Sequence, residues 1–273
     1  GNLVITQNYA SGTYTAHFQN IKDLNFAIRA IVDGKLDSYS TETVNGLMGQ
    51  LKFRRALEYF QLVRMWGGMQ ILTEENVDEY FTILHARSSV AETYALIEGD
   101  LLEAVAKLPE DWGTLVGRPN KYIAKAMLAK VYVTMATAPL NDATNYAKAA
   151  TLAKEVIDSV KYSLVEDIND VFSMETEDGP EMMWSFQANE EYPSTDPNIW
   201  TDADGWGDYS ADTYWVDSVY PEQPRKHAYI QTVNRDGDSV KALGSNYGIQ
   251  KYLYDTWENF DRGFTTINIP IIR

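Results

Sequence analysis

Cysteine is missing from all 273 residues, which removes disulfides, thiolate nucleophiles and cysteine-based metal sites together. Long apolar runs are missing as well. No stretch of about 18 uninterrupted hydrophobic residues occurs, so nothing reads as a membrane-spanning helix, and no charged-then-apolar signal segment opens the chain. Basic residues are scarce: 23 Lys and Arg stand against 39 Asp and Glu, a formal charge of -16. Such a surface repels phosphate backbones and anionic lipid heads over about a Debye length, which argues against nucleic acid as a partner.

The usual catalytic patterns are also lacking. His17, His85 and His227 are isolated, with no His-Glu-x-x-His pair, no Gly-x-Ser-x-Gly elbow and no phosphate-cradling glycine loop. The GSNYG stretch at 244–248 lacks the central serine of that elbow. Carboxylates are so numerous that any two could be paired on paper, which carries no information about a hydrolase without geometry. The expectation is a non-enzyme with no catalytic residues, no metal ligand set and no cofactor.

What is present is 45% hydrophobic and 23% charged residues, ample for a single core or for a helical array with loop-rich insertions. Helical periodicity occupies the first part, with segments expected near residues 14–33, 43–66, 89–107, 121–138 and 144–159. Ser88 or Ser89 is placed to cap the third, with Glu92 completing a capping box, and Leu108-Pro109 is placed to end it. Small and aromatic residues recur in the order of tetratricopeptide helix pairs: Ala129 and Tyr132 before Ala149 and Ala153, and Ala56 and Tyr59 before Tyr94 and Leu101.

The second segment is the most specific. In FRRALEYFQLVRMWGGMQILT, residues 53–73, apolar Phe53, Ala56, Leu57, Phe60 and Val63 recur at helical steps, while Arg54, Arg55, Glu58, Gln61 and Arg64 are expected mostly outside that buried face. Gly67-Gly68 stops the helix before an apolar run from Met69 to Leu72.

That wording resembles the signature helix of the SusD/RagB family, the surface glycan-binding lipoproteins of Bacteroidetes nutrient uptake. Further resemblances follow in order. Arg87-Ser88-Ser89-Val90 comes with Tyr94, Ile97, Asp100, Leu101 and Leu108-Pro109. Gly117-Arg118 comes with Lys121, Ala124, Lys125, Leu128, Ala129, Val131 and Tyr132. After these come residues 146–165, Phe172, residues 181–186, Lys251-Tyr252 and Ile269-Pro270-Ile271-Ile272-Arg273.

The resemblance implies a mainly α fold, SusD-like, with tetratricopeptide-like helix pairs and a loop-rich, short-strand C-terminal region. It is expected as one domain over 1–273, with a helical scaffold at 14–165 and a ligand-binding region at 166–273. It further implies an oligosaccharide-binding protein at the outer membrane, partnered by a SusC-like TonB-dependent transporter and held by a lipid anchor whose Cys is not in this sequence. The chain is accordingly expected to be an internal portion of a longer protein. The alternative reading is a tetratricopeptide-like module that binds a protein or peptide.

From residue 165 onward the texture changes to aromatic residues crowded with Asp, Gly and Pro, and Asp236-Gly237-Asp238 reads as a hairpin turn. In NIWTDADGWGDYSADTYW, residues 198–215, aromatic platforms alternate with amides and carboxylates, the combination that flat sugar faces and hydroxyl rims require. Trp200, Trp206, Tyr209, Asn198, Asp202 and Asp204 are therefore the candidate ligand residues, with Tyr9 and Tyr14 as a second, N-terminal group beside Asn8. Trp215 is expected on a helix at 214–220 with its apolar side on the core. The series Asp202, Asp204, Asp208, Asp212 fails the EF-hand spacing and reads as solvated loop carboxylates.

Overall fold

A computed structural model describes residues 7–79, 82–83, 85–172, 176–195, 209–234, 236–241, 246–249, 264–265 and 268–273. The chain divides into two compact units, Gly1–Ser159 and Val160–Arg273.

The first unit is built on five α-helices: α1 (Gln7–Val32), α2 (Thr41–Trp66), α3 (Val90–Lys107), α4 (Lys121–Met135) and α5 (Asn145–Asp158). Each packs on the next in chain order, most extensively α2 on α3 and α4 on α5. That is the pairing the small-and-aromatic pattern predicts, and Ala56, Tyr59, Tyr94, Leu101, Ala129, Tyr132 and Ala149 are all buried. Ala153 departs from the pattern and is exposed, because α5 packs chiefly on α4 and buries only Asn145, Ala149 and Val156.

Helix limits follow local chemistry. Ser40 Oγ accepts from the Thr43 amide at 3.2 Å, and Asn120 Oδ1 accepts from Tyr122 and Ile123 at 2.9 and 3.0 Å. Ser89 and Glu92 form the full capping box that opens α3. Leu108 leaves that helix with an extended ψ of 141°, the conformation Pro109 imposes on its predecessor. Gly67 ends α2 at φ 73°, its N–H still bonded to Val63 O at 3.0 Å. Gly68 serves a different need, since a Cβ there would stand 2.2 Å from Ser88 O.

The core of this unit contains charge. Arg55 is only 1% exposed and Glu58 2%, against the expectation that both lie outside the buried face. The reason is the position of α2 between α1 and α3, where the side opposite the apolar stripe is also covered. The charges are matched. Arg55 donates from Nε and Nη2 to the two Asp100 carboxylate oxygens at 2.7 Å each, and from Nη1 to Asn25 Oδ1 at 2.7 Å and to Glu74. Lys52 Nζ joins Glu74 at 2.9 Å and Asp100 at 3.4 Å. Glu58 meets His17 Nδ1 at 2.5 Å and Arg54 Nε at 2.8 Å. A bidentate guanidinium with further acceptors is the geometry in which buried ions are tolerated.

The second unit is short strands, turns and one-turn helices. Strands β1 (Trp184–Phe186) and β6 (Ile269–Ile272) pair antiparallel, Trp184 opposite Ile272 and Phe186 opposite Ile269. Two further two-stranded ladders join β2 (Ser194–Thr195) to β5 (Phe264–Thr265) and β3 (Ile230–Gln231) to β4 (Gly248–Ile249). Asn268 Oδ1 accepts from the Ala188 amide at 2.8 Å, and the Asn268 amide donates to Glu177 at 2.7 Å. The Asp236-Gly237-Asp238 turn closes as expected, with Gly237 at φ 86° and Asp238 O accepting from the Asn234 amide at 2.9 Å.

Candidate functional site

An aromatic surface in the second unit is assembled on a small core. Val216, Ile230, Val240 and Tyr247 are buried together, with Ala211 and Tyr220 packed against them. Above this core lies the helix expected over 214–220, wound from Trp215 to Val219 as a π-helical turn. Asp212 opens it by accepting from the Trp215 amide at 2.8 Å, and the Tyr220 amide closes it by donating to Trp215 O at 2.7 Å.

Val216 takes the core position, 1% exposed, while Trp215 remains 44% exposed, so the expectation that Trp215 packs on the core is corrected. Its ring stacks on Tyr220, centroids 4.6 Å apart and planes 14° from parallel. Tyr214 and Tyr209 are more exposed still. Tyr247 OH donates to Asp217 Oδ1 at 3.0 Å, and Lys241 pairs with the other Asp217 oxygen. The Lys241 ammonium holds the Asp217 carboxyl below its ordinary range, with Tyr247 assisting. Burial, then the Asp217 charge, pushes the Tyr247 phenol up. Trp215 and Tyr220 thus present a stacked aromatic pair, the kind of platform that suits the C–H faces of a sugar, while Asp217 is held by Lys241 and Tyr247.

Of the residues the sequence singles out, Tyr209 is described and exposed. Asn198, Trp200, Asp202, Asp204 and Trp206 lie outside the described residues, as does Asp208, so their arrangement is not part of this geometry. Among the described residues no group of three or more His, Asp or Glu could hold a metal ion. Tyr220 escaped sequence reading because residues five apart align only in a π-turn, which no local composition announces.

The N-terminal candidates belong to the first unit. Tyr9 lies in α1, its side chain outside the described set. Tyr14 is tied into the end of the signature helix: its ring lies 4.7 Å from Phe18 and meets Trp66 edge-on at 5.5 Å. Burial pushes the Tyr14 phenol up, opposed by the Arg87 charge and a hydrogen bond with Gln70. Arg87 itself closes α2, donating from Nη2 to Trp66 O at 2.7 Å and from Nε to Gly68 O at 2.8 Å. A cation on the last carbonyls of a helix is favoured by the helix dipole. The Trp66-Gly67-Gly68 and Arg87-Ser88 segments are therefore one structural clasp, sealed by Ser88 N–H on Met69 O at 2.8 Å.

With that geometry in place, the similarities to known proteins take on structural meaning. Residues 2–133 match the model of the SusD-like family described as starch-binding and associating with the outer membrane. SusD-like protein P25 of Formosa agariphila is 29% identical over 158 residues, 56% of this chain and 28% of that protein. A SusD superfamily protein of Parabacteroides distasonis superposes with TM-score 0.77 at 25% identity, covering 97% of this chain and 60% of that one. A structure solved with a xylogluco-oligosaccharide has TM-score 0.74 at 18% identity, over 96% of this chain and 57% of that one. The chain thus spans well under two thirds of the length of the relatives it matches.

Proposed function

From its place in the SusD-like family, to which the chain belongs by family match and by fold, we propose that this protein is a non-enzymatic carbohydrate-binding protein of the outer-membrane surface. It captures oligosaccharides and delivers them to a SusC-like TonB-dependent transporter. The family match across α1 to α4 carries this reading, and the solvent-facing Trp215 ring stacked on Tyr220 supports it. The candidate ligand residues read from the sequence, Trp200, Trp206, Tyr209, Asn198, Asp202 and Asp204 and, separately, Tyr9 and Tyr14, are proposed to contribute to binding. A xylogluco-oligosaccharide bound to a protein of the same fold makes β-glucans the first ligands to try.

The test is affinity electrophoresis of the purified chain in gels containing xyloglucan, starch or arabinan, beside Trp215→Ala and Trp206→Ala. Retardation by at least one polysaccharide, weakened in either variant, is the expected result. Retardation unchanged in both would move the site elsewhere. Failure of every polysaccharide to retard the chain, with retention instead on an immobilised peptide library, would replace the reading by a peptide-capturing one.

A further inference from the structure

A cleft of about 680 Å³ lies in the first unit, between the start of α2 and the loop joining α3 to α4. The aromatic surface above makes no use of it. One wall is Trp112, a residue the sequence patterns did not single out. Its ring edge lies over α2 where residue 46 is glycine, and a Cβ at that position would come within 2.9 Å of the ring. The indole N–H donates to Pro119 O at 2.8 Å, which sets the tilt of the ring. The Arg118 guanidinium carbon stands 5.4 Å from the ring centroid. Among the described residues no carboxylate forms an ion pair with Arg118.

The facing wall carries hydrogen-bonding groups with capacity left. Asn45 Oδ1 accepts from Lys107 Nζ at 3.2 Å, so its amide nitrogen still offers two donors. Gln50, also on the lining, uses its amide nitrogen on Gly46 O at 3.1 Å, which leaves its carbonyl oxygen as an acceptor. The ionic groups on the lining cancel: Lys107 and Arg118 are matched by Glu42 and Asp111. A ligand of either net charge would meet a like charge there. A neutral ligand rich in hydroxyls can use donors and acceptors of both kinds, and the volume falls in the range of small-molecule sites.

We propose that this cleft binds a neutral saccharide, one C–H face of a sugar ring lying on Trp112 and the hydroxyls bonding Arg118, Asn45 and Gln50. The site stands on its own walls and belongs wholly to the helical unit, to which the carbohydrate-capture reading above assigns no cleft.

The experiment labels the full chain with 5-fluorotryptophan and follows the seven indole fluorine resonances during titration with maltohexaose and with cellohexaose, Trp112→Phe identifying the Trp112 signal. The Trp112 signal should shift saturably with at least one sugar. Arg118→Ala and Gln50→Ala, which leave the ring in place, should each weaken that response roughly fivefold to tenfold. The shift should persist in Trp215→Ala. A Trp112 resonance that stays fixed with both sugars while other indoles move overturns this site and leaves carbohydrate capture standing. A fixed spectrum with both sugars overturns the cleft as a site for neutral glucans. A shift that is unaltered by Arg118→Ala and Gln50→Ala overturns the assigned contacts.

Discussion

The two units solve burial differently. The first, Gly1–Ser159, covers long helices on several sides and accepts Lys52, Arg55, Glu58 and Asp100 into its interior. The second, Val160–Arg273, has strands of two to four residues, and among its described residues only uncharged polar groups, Ser185, Gln231 and Asn268, are buried. Long helices carry their own backbone hydrogen bonds, so their side chains are left to decide packing, and a fully covered helix can hold a matched ion cluster. Two-residue ladders satisfy few backbone groups. The second unit therefore spends its polar side chains on backbone atoms, as Asn268, Asn234 and Asp212 do. The difference teaches where each unit is vulnerable: the first to an unmatched charge, the second to the loss of one of a few buried apolar groups.

The sharpest way to break the comparison is Arg55→Ala. Removing the guanidinium takes the bidentate partner from Asp100, leaves Asp100 and Glu74 to Lys52 alone and deprives Asn25 Oδ1 of its donor, and breaking a buried pair of this kind costs about 3–5 kcal/mol. Urea denaturation followed by far-ultraviolet circular dichroism should show a fall of that size. Arg55→Met combined with Asp100→Leu should lose much less, because no charge is left buried alone. A small effect of the single substitution would mean that the network is not desolvated.

Acid tests the same cluster. Burial pushes the Glu74 carboxyl up, but the Arg55 charge, with hydrogen bonds from Arg55 and Lys52, outweighs burial and holds it at about 2. A carboxyl depressed in the folded state contributes stability that is complete above its unfolded value and is lost as pH falls through the folded one. The Tm should therefore decline between about pH 5 and pH 2. Glu74→Gln should flatten that decline and lower the Tm at neutral pH. A slope identical in the variant would remove Glu74 from the account.

In the second unit the corresponding weak point is Val216, one of four residues in its small core. Val216→Ala removes two methyl groups from a site 1% exposed, a loss of about 1–2 kcal/mol. Hydrogen exchange at the amides of Tyr220, Ile230 and Tyr247 should accelerate accordingly. Unchanged exchange there would mean that the hairpin and turn hold without this core.

Much of the first unit was legible in the sequence, because α-helix periodicity and caps act over three or four residues. The observed limits of α2 and α3 fall within two residues of the expected ones, and the Ser89–Glu92 box is where the pattern put it. Arg55 was misread for a physical reason: its partners stand 19, 30 and 45 residues away, and no local window reveals that a polar face is covered by a third helix. Trp112 was missed because its partner is an absence, the hydrogen of Gly46. In the second unit the hairpin at Asn234–Asp238 was readable from turn chemistry, whereas the orientation of Trp215 turned on a π-turn's extra residue.

That extra residue gives the last and smallest stability effect. In the π-turn the ring of Trp215 stacks on that of Tyr220, which itself packs against the Val216 core. Among the described residues Trp215 makes this one ring contact, and it is 44% exposed, so Trp215→Ala should change unfolding free energy by no more than about 1 kcal/mol. Val216→Ala, one position along, should cost at least as much while removing a far smaller side chain. If Trp215→Ala proves the more destabilising of the two, the exposed stack is part of the core and its role as a ligand platform falls. If it is the milder, a large aromatic is kept on the surface where stability gains little from it, and binding is what it serves.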